Sequence, residues 1–241
     1  MREFIVVFAR APVPGQVKSR LARSLGDEMA AAVYAAMLRD SLVLAEQAAR
    51  CRNDCAVVLS YTPHDAFEAG PYSLRAFWHG RRLPQCEGDL GDRMLDCLRR
   101  LQTQGATRIV VIGSDSPDLP PALICHAFME LERPKWVPSS GEAPVCCCDL
   151  VLSPTHDGGF CLIGTGREVP EALFARVEWS TDQTAAQVIH KAQHLNLRVV
   201  SLPQWHDVDT VSDFAHIGQP FLGQPTFAPE TWRCLRSKNL L

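Results

Sequence analysis

A single three-layer α/β/α domain built on a mostly parallel central sheet is the fold class that the 241-residue sequence predicts. Three observations carry this. Short apolar runs rich in β-branched residues recur along the chain, as buried strands require. Stretches with helical spacing of apolar residues lie between them, and alternating strands and helices build parallel sheets. The segments with charge, glycine and proline follow the ends of those runs, where open α/β sheets hold their ligands.

Composition narrows the function classes. The hydrophobic fraction of 46% is ample for a buried core, and 24 basic against 27 acidic residues are mixed along the chain. With no basic block, nucleic acid and membrane surfaces are not the expected partners, and small molecules are. The apolar run at residues 4–9 is too short for a signal peptide and no stretch reaches membrane-spanning length, so a soluble cytoplasmic protein is expected. The ten cysteines lack the paired short spacings of a zinc grid and read as reduced, mostly buried thiols. Cys146-Cys147-Cys148 could alternatively be a redox or soft-metal feature.

Taken in order, residues 4–8 form a first buried strand that runs into Ala9-Arg10-Ala11-Pro12-Val13-Pro14-Gly15-Gln16-Val17-Lys18-Ser19-Arg20-Leu21. A strand followed by a basic, glycine-containing loop is a phosphate-binding arrangement in outline, and equally an exposed loop with a solvated Lys and Arg. The P-loop spacing is absent. Residues 27–50 make one long amphipathic helix whose Tyr34 and Met37 are core. Residues 55–61 form a second strand and residues 74–78 a possible third, shorter and more exposed. In the segment from Leu83 to Met94, Gln85 can donate and accept at once, which suits a nucleobase edge, and Gly88 and Gly91 permit close backbone approach. Asp89 and Asp92 would serve as ordinary caps of the following helix.

Residues 108–112 form a further strand, and it delivers Gly113-Ser114-Asp115-Ser116-Pro117-Asp118-Leu119. This stiff acidic loop could hold a metal or phosphate, or Asp115 or Ser116 could merely cap the helix that starts near Pro120. Residues 148–152 and 160–164 read as strands on either side of Asp157-Gly158-Gly159, which suits a hairpin turn as well as a sugar lying against main chain. Trp179-Ser180-Thr181-Asp182 supplies caps for a helix through Ala185 and Ala192. His190 and His194 on it have a zinc-like spacing, although no Glu occupies the HExxH position, and a solvated face explains them. The last strand, 197–202, is followed by Asp207-Val208-Asp209. Residues 218–241 form a tail packed on a domain of residues 1–217.

In a parallel sheet the two acidic loops, the basic loop and the base-reading loop gather on one edge. Carboxylates from two loops suit Mg²⁺ or Mn²⁺, hard cations that keep water and substrate phosphates in their remaining positions. Such a site serves glycosyl or nucleotidyl transfer from a nucleotide donor.

These motifs, from the residue 8–21 segment through Gly88-Asp89-Leu90-Gly91, Gly113-Ser114-Asp115, Asp157-Gly158-Gly159-Phe160, Trp179-Ser180-Thr181 and Asp207-Val208-Asp209-Thr210, resemble the nucleotide-diphospho-sugar transferases of GT-A fold, within a bacterial glycosyltransferase-like subgroup. The resemblance implies a metal-assisted transferase using a nucleotide-diphosphate sugar and a small-molecule acceptor. Nucleotidyl transfer from an NTP with release of pyrophosphate is the alternative, and a non-catalytic nucleotide-binding domain the third. It implies nucleotide binding by Ala9, Gly15, Lys18, Arg20, Gln85, Gly88 and Asp89, and sugar or acceptor contacts at Asp157, Gly158 and Gly159. Asp115 and Asp157 would be catalytic, with Asp115 and Asp209 on the metal. The spaced DxD of many glycosyltransferases is replaced here by Asp115-Ser116-Pro117, and Phe160 stands where the family often has Tyr.

Overall fold

The computed structural model describes residues 2–132, 148–223 and 226–240. Among these residues seven strands form one sheet: β1 (Arg2–Arg10), β2 (Cys55–Thr62), β3 (Arg81–Pro84), β4 (Ala106–Ile112), β5 (Leu150–Pro154), β6 (Phe160–Thr165) and β7 (Val199–Ser201). Their spatial order is β3-β2-β1-β4-β6-β5-β7, and β6 alone runs against the others. The interior strands are near-continuous apolar runs because both faces of the sheet are covered.

One face carries α2 (Asp27–Arg50) and α4 (Pro121–Glu132), packed through Leu38, Leu42, Leu123 and Phe128 onto Ile5, Val7 and Val110. The opposite face carries α3 (Leu90–Gln102) and α5 (Thr184–His194), through Met94, Leu98, Leu101 and Val188 onto Phe4, Val6 and Val111. Alternate residues of β1 and β4 thus serve opposite cores, as the two-residue strand period demands. The short α1 (Ser19–Leu25) and α6 (Pro229–Ser237) close a satellite cluster with α2 around Leu21, Met37, Phe214 and Leu235. Among the described residues no helix is long and apolar enough to cross a membrane.

One expectation needs correction. Residues 74–78 are not a strand: Leu74–Ala76 form a 3₁₀ turn that drops Leu74 and Trp78 into the core, and the third strand is Arg81–Pro84. With arginines at its first two positions, that edge strand lacks an apolar signature. The tail beyond residue 218 contains a helix. Its α6 docks on α2 through Asp40, whose carboxylate accepts from the backbone amides of Glu230 (3.1 Å) and Thr231 (2.7 Å) and from the Thr231 hydroxyl (2.7 Å). Cys146 and Cys147 lie outside the described residues, whereas Cys148 is a buried free thiol. His190 and His194 sit on the exposed face of α5, their Nε2 atoms 3.0 Å apart, and among the described residues no group of three metal-ligating side chains is assembled.

Candidate active site

The carboxyl ends of β1, β2, β3, β4 and β5 share one edge, and a cleft of about 780 Å³ opens along it. The reversed β6 contributes as well: β5 and β6 form a hairpin whose turn projects from this edge and brings Asp157, Gly159 and Phe160 to the wall.

At the centre the Lys18 side chain is 5% exposed and its ammonium bonds to Asp115 Oδ1 (2.7 Å), Asp209 Oδ1 (2.8 Å) and the Val208 carbonyl (2.6 Å). Burial works against its charge, but Asp115 and Asp209 outweigh that and hold it above the ordinary lysine range. Lys18 has left-handed backbone, φ 48° and ψ 50°, a strained conformation for a residue with a Cβ. Its three bonds maintain it, and such strain gathers at functional sites. Arg20 extends the cationic side, with Nη1 3.4 Å from Asp209 Oδ2.

The acidic loop after β4 is tied to the chain's last acidic segment. The Val208 amide donates to the Asp115 carbonyl (2.8 Å), and Ser116 Oγ donates to Asp207 Oδ1 (2.5 Å). Burial, and then the charge of Asp115, push the Asp207 carboxyl up to about 7. Tyr34 Oη accepts from the Arg10 amide (3.0 Å) and pairs with Ser114 Oγ (2.9 Å), which fixes the spacing of the β1 and β4 ends. Asp115 and Ser116 therefore engage Lys18 and Asp207, not the first turn of α4.

Ala9, Lys18, Arg20, Gln85, Asp115, Asp157, Gly159 and Asp209 all line the cleft. Gln85 is buried, and its Nε2 donates to the Ser60 carbonyl (3.0 Å) while its backbone carbonyl lies 2.8 Å from His64 Nε2. Four anticipated residues lie outside the lining. Asp89 caps α3 in a reciprocal box with Asp92, and Gly88, at φ 115°, shapes the turn before it. Gly15 bends the basic loop at φ 75°, and Gly158 has φ 88° where a Cβ would stand 2.0 Å from the Asp182 carbonyl oxygen. These four shape the walls without facing the cavity.

The sequence reading did not single out Thr62, Leu90, Arg93, Trp179 or Asp207 as contacts, yet all five line the cleft. Asp207 had a visible signal, since it stands two residues before Asp209 after the same strand. Trp179 reaches the wall because Gly91 leaves room for its ring: a Cβ there would be 2.7 Å from Trp179 Cζ2.

The donor set fits a divalent cation of the oxygen-preferring kind. Asp115 and Asp209 come within bonding distance of one ammonium, and both line the cleft with side chains 47% and 34% exposed. Two carboxylates with room for phosphate and water is the usual provision for Mg²⁺.

The chain belongs to the DUF2064 family, described as an uncharacterized protein conserved in bacteria, whose model matches residues 43–181. Its fold is that of the nucleotide-diphospho-sugar transferases. The chain is similar to the crystal structure of a putative nucleotide-diphospho-sugar transferase from Desulfovibrio desulfuricans G20, with 27% identity, a TM-score of 0.78, and coverage of 99% of this chain and 96% of that one. Two more distant structures share the fold. One is Rv0371c of Mycobacterium tuberculosis H37Rv in complex with manganese, with 18% identity, a TM-score of 0.50, and coverage of 90% and 97%. The other is CMP:2-keto-3-deoxy-manno-octonic acid synthetase complexed with CTP, with 12% identity, a TM-score of 0.50, and coverage of 90% and 97%. No curated protein matches the sequence.

Proposed function

We propose that this protein is a cytoplasmic, metal-assisted transferase of GT-A type that takes a nucleotide-diphosphate sugar as donor and a small molecule as acceptor. One observation carries the reading: Asp115, after β4, and Asp209, after β7, meet on the ammonium of Lys18, from the loop after β1, at the mouth of a nucleotide-sized cleft. The similarity to a putative nucleotide-diphospho-sugar transferase supports it. Eight free cysteines among the described residues suit a reducing compartment.

In this reading Lys18 and Arg20 neutralise the donor's diphosphate, which competes with the two carboxylates for the Lys18 ammonium. The Ala9 backbone, Gln85, Leu90 and Arg93 flank the nucleoside. Asp157 and Gly159, held by an Asx turn in which Asp157 Oδ1 accepts from Thr155 Oγ1 (2.6 Å) and the Gly159 amide (3.1 Å), border the sugar. Asp115 and Asp209 would hold Mg²⁺ or Mn²⁺, which when bound stabilises the charge growing on the departing phosphate.

The test is a thermal-shift panel of nucleotides and nucleotide sugars with and without Mg²⁺ or Mn²⁺, followed by product analysis of the best ligand. A specific donor at a hundred times its Kd adds about 2.7 kcal/mol of stability by mass action. Release of a nucleoside diphosphate establishes glycosyl transfer, whereas pyrophosphate released from an NTP marks nucleotidyl transfer instead. A panel in which nothing shifts the transition refutes both.

A further inference from the structure

A second cavity, of about 440 Å³, lies beyond the catalytic carboxylates and shares Arg20, Asp157, Asp207 and Asp209 with the first. Its far side is built by His156, His206 and His216. These come from three separate places in the chain: the β5–β6 turn, the segment after β7 and the 3₁₀ helix Val211–His216.

The hydrogen-bonding inventory shows which groups remain for a ligand. Asp209 is taken by Lys18 and Arg20. Asp213 Oδ2 accepts from the Asp209 amide (2.9 Å), the Thr210 amide (2.7 Å) and Thr210 Oγ1 (2.9 Å). Asp157 and Asp207 each commit one oxygen internally and keep the other.

The imidazoles are less engaged. His216 uses Nδ1 toward Gln219 (3.0 Å), leaving Nε2 for the cavity. His206 is 7% exposed and stacked on Trp205 with ring centroids 4.8 Å apart. Its Nε2 is buried and lies 3.2 Å from Asp118 Oδ1, so that nitrogen faces the buried Asp118 carboxylate and the ring serves as a fixed wall of the cavity. The far wall therefore offers imidazole nitrogens from His156 and His216, and the shared wall offers the Arg20 guanidinium and two carboxylate acceptors.

An oxyanion satisfies the donors and hydroxyls satisfy the acceptors. Resting on the transferase reading, we infer that this cavity is the acceptor site and that its ligand is a small hydroxylated anion, carrying a phosphate or carboxylate against the histidines and a hydroxyl against Asp157 and Asp207.

The probes are glucose 6-phosphate, gluconate and glucose, titrated calorimetrically into the full-length protein, alone and with a saturating nucleotide and Mg²⁺. They are compared in wild type and in the exposed double variant His156→Gln/His216→Gln. At least one anion is expected to bind with nucleotide present, glucose about tenfold more weakly or worse, and the double variant to lose about tenfold in anion affinity with nucleotide affinity unchanged. A preference for the phosphate or the carboxylate probe identifies which oxyanion the wall takes. Equal binding of glucose, anion binding untouched by the double variant, displacement of the anion by nucleotide, or no anion binding in a protein that does bind nucleotide would each overturn the assignment. Histidine-dependent anion binding in a protein that binds no nucleotide would instead remove the transferase reading and leave the anion pocket standing.

Discussion

Lys18 is the residue on which the site's electrostatics turn. One buried ammonium is the counter-ion of two carboxylates, so Lys18→Met should leave Asp115 and Asp209 facing each other uncompensated. The expected outcome is nucleotide affinity reduced about tenfold or more, together with a Mg²⁺-induced rise in melting temperature larger than in wild type, because a cation now fills the vacancy. Calorimetry and thermal shift measure both, and a variant no more responsive to Mg²⁺ than wild type would contradict this account. Asp115→Asn keeps the shape and removes the charge, and should lower turnover by about a hundredfold or more with little loss of stability. Gly158→Ala tests packing alone: the left-handed backbone and the Asp182 main chain together predict a loss on the order of 1–3 kcal/mol in urea denaturation.

At the scale of elements, the attachment of α6 depends on Asp40. Its carboxylate, buried in α2, takes the place of a local N-cap for a helix 190 residues away in the chain. Asp40→Ala should cost about 1–2 kcal/mol and accelerate amide exchange over Pro229–Ser237 more than in the sheet. Nothing near residue 229 announces this cap, since Ala228 precedes the helix and its partner lies in an unrelated stretch. The long periodic elements were legible for the opposite reason. The helix expected over 27–50 has those bounds because its apolar stripe is local information, and the strands at 4–8, 55–61 and 108–112 are buried on both faces. The edge strand Arg81–Pro84 was missed because it buries little, and Leu74 to Trp78 resembles a strand only in composition.

The whole molecule is held at the end away from the cleft by buried ionic clusters. Asp149 accepts from the Arg198 backbone amide (2.8 Å) and guanidinium (3.0 and 2.9 Å) and pairs with Arg167. Burial opposes its ionisation, but the Arg198 hydrogen bonds prevail and hold its carboxyl below the usual range. A carboxyl whose folded pKa lies below its unfolded one stabilises the fold fully above the unfolded value, and that contribution drains away as pH falls through the folded value. Asp149→Asn should therefore be less stable than wild type near neutral pH, by about 1–3 kcal/mol, with the gap closing on acidification through the carboxylate range. Glu3, buried between Arg52 and Arg108, adds a second such cluster.

At this same scale, the meeting of the basic and acidic loops was legible because a parallel sheet collects its loops on one edge. The direction of individual side chains was not. That Asp89 turns inward on Asp92, or that Lys18 satisfies two acids rather than facing solvent, depends on backbone angles that no local pattern encodes.

The bonds from Lys18 to Val208 and Asp209 join points 190 and 191 residues apart. During synthesis the strand β1 and its basic turn emerge long before Val208 and Asp209 exist. Until translation passes residue 209 and that segment clears the ribosome, the nascent chain holds a lysine with one of its two acids and a half-built pocket.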